Sequence, residues 1–140
     1  MEFTKVIIYT NEDQQLHVVH LTHEATSYEH EAAKVVPDGI AYEVIDSSEL
    51  PNSRMFRNAW VAKSNAVEVD LESARVIAHE QRRISRDEEM KPHDLGVTIP
   101  GKEESAEVER VRLREKYAKL QTEIDSSDNV DALELLITDI

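Results

Sequence analysis

The chain has 140 residues, with one Trp, two Phe, four Tyr and a net charge of −13. It has no cysteine, which excludes disulfides, a thiolate nucleophile and Cys-ligated zinc. Its acidity sets it against nucleic-acid phosphates and anionic membranes, and no apolar run nears the ~20 residues needed to cross a bilayer.

Hydrophobic residues make up 40 % of the chain and Gly and Pro are scarce, at three and four. Most of it can therefore sit in regular elements around a thin core. A basic surface on a partner would complement the charge; the same charge also serves solubility alone. The N-terminal MEFTKVIIYT has no basic region followed by a long apolar run, so no signal peptide is expected.

Thr4 to Thr10 is rich in β-branched residues and reads as a strand. Asn11-Glu12-Asp13 is a turn signal, and Leu16 to Leu21 reads as the second strand of a hairpin. His23 to Lys34 reads as a short helix. Pro37-Asp38-Gly39 is a turn, since Pro presets φ and Gly admits positive φ. Ile40 to Ile45 alternates as a third strand, and Asp46 is placed to cap a short turn ending at Pro51.

Met55, Phe56, Ala59 and Trp60 share one face of a helical turn, with Arg54 and Arg57 beside them. Such a turn either plugs the end of the small sheet or presents Phe56, Arg57 and Trp60 to a partner, because Trp and Arg are enriched at binding hot spots. In a chain this poor in aromatics the core is the stronger expectation. Ala62 to Ala66 reads as a loop, and 61–69 as a linker.

Asp70 is an N-cap for a helix over about 71–90, with Leu71, Ala74, Ile77, Ala78 and Ile84 at helical spacing. Arg75, Arg82, Arg83 and Arg86 form its expected basic face. Lys91 to Gly101 carries two Pro and two Gly and reads as a connection, with Leu95, Val97 and Ile99 against the helices. Glu103 to Asp125 is a second long helix, whose Ala106, Leu113, Tyr117, Leu120 and Ile124 follow the seam of an antiparallel hairpin. Glu115 and Lys119 are expected to pair at i,i+4. Val130 to Ile137 is a short last helix with Val130, Leu133, Leu136 and Ile137 on one stripe. That stripe either packs back on the hairpin or enters a partner groove. The expected fold is α+β: residues 1–60 a small antiparallel sheet with a short helix, 61–69 a linker, 70–140 an antiparallel helical hairpin plus a short terminal helix.

No catalytic motif stands out: there is no glycine-rich phosphate loop, no HExxH helix and no GxSxG elbow. His17, His20 and His23 suggest a metal site at first sight. In a strand, however, an offset of three puts His17 and His20 on opposite faces, while His17 and His23 lie about 20 Å apart. His79-Glu80 are neighbours on a helix and do not face each other; His93-Asp94 has no nucleophile in view. We expect no enzyme activity, no cofactor and no metal.

The order of short motifs resembles small tail-associated proteins of tailed bacteriophages. The similarity lies in the turn Val36-Pro37-Asp38-Gly39 and the acidic segment Asp46 to Pro51. It continues in Phe56-Arg57-Asn58-Ala59-Trp60 and in the helix start from Val69-Asp70 to Ala74-Arg75. An Arg-rich first helix, a second helix with Arg114-Glu115-Lys116-Tyr117-Ala118-Lys119-Leu120-Gln121, and a short terminal helix complete it. The helical half is also similar to the short tail assembly chaperone of such phages. The resemblance implies a non-enzymatic structural or docking protein of the virion, in the tail or tail-fibre region and assembled in the host cytoplasm. The alternatives are a transient tail or fibre assembly chaperone and an acidic DNA-mimic inhibitor of a host nucleic-acid enzyme. Expected partners are tail, fibre or other virion proteins, with homo-oligomers possible and neither nucleic acid nor membrane involved. Phe56, Arg57, Trp60, Leu133, Leu136 and Ile137 are the candidate contact residues.

Overall fold

The computed structural model describes residues 4–140. Met1–Phe3, the start of the segment in which no signal peptide is expected, lie outside the described residues. The chain forms two compact units, which divide after Asp70.

In the first unit, β1 (Lys5–Thr10) is flanked by β2 (Leu16–His20) and β3 (Tyr42–Asp46), antiparallel on both sides. Asn11 closes the β1–β2 turn, its Oδ1 accepting the Asp13 and Gln15 N–H groups at 3.0 and 2.9 Å. The central strand is buried on both faces: Val6, Ile7 and Ile8 are all fully enclosed. That explains why it reads as a continuous apolar run rather than an alternation. Helix α1 (Tyr28–Val35) starts later than His23, because Ser27 caps it by accepting the His30 N–H at 3.1 Å. Gly39, at φ +82°, completes the turn after Pro37, where Ile40 N–H returns to the Pro37 carbonyl.

The expected linker is a folded hairpin. Strands β4 (Trp60–Lys63) and β5 (Ala66–Val69) pair antiparallel, with Asn65 supplying the left-handed φ of +60° that their tight turn needs. Trp60 and Val67 join Val6, Ile8, Leu16 and Ile45 in one core, with Leu50, Val18 and Val69 at its margin. The sheet's apolar face would otherwise be open, so burial drives this polar-looking segment into strands.

The second unit contains α2 (Leu71–Gly96), α3 (Glu103–Ser126) and α4 (Val130–Thr138). The first helix does not stop near residue 90 but runs through Pro92 to Gly96. Proline there leaves the Glu88 carbonyl without its helical partner. Glu88 and Pro92 are both exposed, so water can solvate that carbonyl, and the remaining packing of α2 holds the helix. The buried residues of α2 are Ala74, Ala78, Arg82 and Gly96. They meet the α3 seam of Ala106, Leu113, Tyr117, Leu120 and Ile124. Gly96 is required by close approach: a Cβ on it would lie 2.9 Å from Ala106 Cβ. Ile84 and Leu95, expected to face inward, are 47 % and 64 % exposed. Asn129 caps α4 by accepting the Ala132 N–H at 2.8 Å, and α4 packs back on α2 and α3 through the fully buried Leu133.

Candidate functional site

Phe56, Arg57 and Trp60 do sit together, but the backbone there differs from the expected helical turn. A single 3₁₀ turn over Arg57–Ala59 leads straight into β4, which Trp60 opens. The Asp70 N–H bonds to the Ala59 carbonyl at 2.8 Å and closes that junction. Phe56 and Trp60 are core residues, at 2 % and 5 % exposure. Trp60 packs into the core of the sheet, and a partner cannot reach most of either ring. Met55, on the same expected face, points outward.

Arg57 is the half-buried polar member of the group. Its Nη2 donates to the Leu16 carbonyl at 3.0 Å, and its guanidinium lies 4.7 Å from the Trp60 ring centroid. Arg54 stands over the same ring at 5.8 Å. Burial, and secondarily the charge of Arg54, lower the Arg57 pKa from the ordinary arginine value. No carboxylate pairs with Arg57 among the described residues. Trp60 Nε1 is buried without an acceptor. Arg57, Asn58 and Trp60 form one wall of a cleft of about 370 Å³, whose other wall is Gln14 to His17. The His17 ring stacks on Tyr9 at 4.8 Å and lies 3.0 Å from Asn11 Nδ2. His17, His20 and His23 do not converge, and no group of three or more His, Asp or Glu is placed to hold a metal among the described residues. A more open groove of about 700 Å³ runs past Tyr9, Ile40, Tyr42 and Ala62.

In the helical unit the polar residues turn inward. Arg82, expected on a solvated basic face, is 5 % exposed. Its Nε donates to His79 Nδ1 at 3.3 Å, and His79 Nε2 meets Asp125 Oδ1 at 2.7 Å. This assigns the imidazole proton to Nε2, since Nδ1 must accept from Arg82. Burial, then Arg83 and Arg86, lower the Arg82 pKa, and Asp125 opposes them. Arg75 Nη2 donates to the Ser127 carbonyl. Farther along, the Tyr117 hydroxyl donates to the Glu89 carboxylate, which Lys116 Nζ also meets at 3.0 Å. The Tyr117 bond, more than Lys116, holds the Glu89 carboxyl below its usual range; burial and then Glu89 push the Tyr117 phenol upward. Asp94 pairs with Arg110 at 3.0 Å, so the His93-Asp94 pair is on α2 and its acid is engaged across the hairpin. Lys119 pairs with Glu123 at 3.8 Å instead of with Glu115. Each cross-helix pair joins α2 to α3 or its C-terminal edge, so together they brace the hairpin.

The candidate stripe on α4 divides. Leu133 is fully buried, while Leu136 and Ile137 are half-buried, with Leu136 edging a shallow groove beside Leu120 and Ile140. Leu135, which helical spacing did not single out, is 66 % exposed, and Val76 and Val108 are exposed to a similar degree. Their signal in the sequence is an apolar residue off the seam, which is weak when met singly. No protein-family model, curated protein sequence or solved structure matches this chain.

Proposed function

We propose that the protein works without catalysis, as a docking component of a tailed-phage particle in the tail or tail-fibre region. The supporting observation is an inversion in the helical unit. Arg82 and Glu89 lie along the inner side of α2, while Val76, Ile84, Leu95, Val108, Val111 and Leu135 face outward. Of these, Val108 and Val111 line one shallow apolar groove on α3, and a grouped apolar surface of that kind is where a partner would dock. The motif order from Val36 to Arg75 and the helical second half supply the phage context.

Mass spectrometry of purified particles tests the proposal: the protein should co-purify at a fixed ratio to a tail or fibre protein. Its absence from particles, with capture on a tail or fibre protein in infected-cell lysate, would move the role to transient assembly chaperone. Absence from both would refute each. A DNA mimic needs an unbroken acidic stripe, and here Glu107 and Glu109 pair with Arg110, Arg114 and Arg112 on the same helix. That interleaving of charge favours the docking reading.

A further inference from the structure

We propose that the cleft between Arg57 and Gln14–His17 receives a single carboxylate carried by a peptide, with Arg57 as the anchoring cation. Two features of the cleft point there. The first is an unmatched charge. Acidic residues outnumber basic ones 29 to 16, yet the half-buried Arg57 has no acid partner among the described residues and a second cation, Arg54, over the same ring. A partly desolvated cation is costly without a counter-charge, so an incoming anion relieves a standing penalty.

The second feature is preorganisation. The Leu16 carbonyl and the Trp60 face hold the guanidinium in place. An arriving carboxylate need not order a free side chain, which is the main loss when exposed arginines bind anions. Trp60 also lines the cleft, but its Nε1–H is enclosed without an acceptor and offers a ligand no contact. Asn58, Gln14 and Gln15 add neutral amides around the rim.

The size and field of the site narrow the ligand. About 370 Å³ suits an Asp or Glu side chain or a chain terminus. A net charge of −13 repels polyanions most strongly, so a singly charged carboxylate is favoured over phosphate or nucleic acid. The cleft acts in the same way whether or not the protein belongs to a virion, so its failure and the failure of the virion reading are separate events.

The unique Trp60 makes occupancy directly readable. The full chain is titrated with Ac-Ala-Glu-Ala-NH₂, with Ac-Ala-Ala-OH, with the neutral Ac-Ala-Gln-Ala-NH₂ and with inorganic phosphate. Trp60 emission and the indole N–H resonance are followed up to about 10 mM ligand, since a one-carboxylate site can be as weak as millimolar. We expect a saturable change with the Glu peptide or the free C-terminus, which identifies the source of the carboxylate, and none with the Gln peptide. Arg57→Gln should weaken binding at least tenfold. Arg54→Gln, at an exposed position, should weaken it only about twofold. If Arg57→Gln does not fold, the Glu-against-Gln peptide comparison in the unaltered protein decides. No saturable response to either carboxylate, an equal response to the Gln peptide, or phosphate binding as tightly as both peptides would each overturn the assignment.

Discussion

The Glu89–Tyr117 bond across α2 and α3 should be the most informative single contact in the helical unit. Tyr117 is 1 % exposed and its hydroxyl donates to a carboxylate, which Lys116 also engages. A hydrogen bond to a charged group contributes roughly 1.5–3 kcal/mol when buried. The Glu89 side chain is 35 % exposed, so solvent screening reduces the expected contribution to about 1–2 kcal/mol. Tyr117→Phe and Glu89→Gln should each lower stability by that amount, and the double variant should cost little more than either alone. Urea melts of the full chain at 222 nm, across the four members of the cycle, give the coupling directly. The pH dependence is an independent check. The folded Glu89 pKa lies below its ordinary 4.5, so its contribution is present above that pH and is lost as pH falls through the folded value. The gap between the unaltered protein and Glu89→Gln should therefore hold above pH 4.5 and close as the pH falls below it. The Tyr117 phenol is raised above its ordinary 10.0. Its contribution persists below pH 10 and fades as pH rises toward the folded value. Two additive single variants, with a coupling below about 0.3 kcal/mol, would refute the claim that this pair holds the hairpin together.

Gly96→Val should destabilise the helical unit by about 1–3 kcal/mol, because a Cβ there already presses on Ala106 Cβ at 2.9 Å. Adding Ala106→Gly should recover part of the loss in the same melts, and no recovery would mean that the close approach is not the cause. Phe56→Ala, at 2 % exposure, should lower the midpoint of the Trp60 emission transition by a loss of about 3–5 kcal/mol; a change under about 1 kcal/mol would remove Phe56 from the core. Ser27→Ala should cost about 1 kcal/mol through the lost cap on α1, seen as faster amide exchange at His30; unchanged exchange would discount the cap. Leu135→Ser and Val108→Ser, both more than 60 % exposed, should leave stability within about 0.5 kcal/mol. They should reduce incorporation into particles, and normal incorporation of the pair would detach these residues from docking.

Local rules were enough for the parts of this chain that depend only on near neighbours. The β-branched run of β1, the Asn11 turn, the Pro37–Gly39 turn and the α3 seam are readable because their causes act within a few residues. The same holds for the α+β order of elements. Which face of an element is buried is a different kind of question, since it depends on what arrives from far along the chain. Residues 61–69 became a hairpin because the Val6–Ile8 face needed a cover. Helix α2 crossed Pro92 because its exposed position let solvent take the freed carbonyl. Its inner side is Ala, Arg and Gly because α3 comes too close at Gly96 for larger side chains, and because Asp125 and Tyr117 lie within reach of His79 and Glu89. Hydropathy counting places Ile84 inside and Arg82 outside; tertiary packing reverses both. The Phe56–Trp60 cluster was visible as an aromatic concentration, but its cleft was not, because Gln14–His17 is brought there only by the fold of the β1–β2 hairpin.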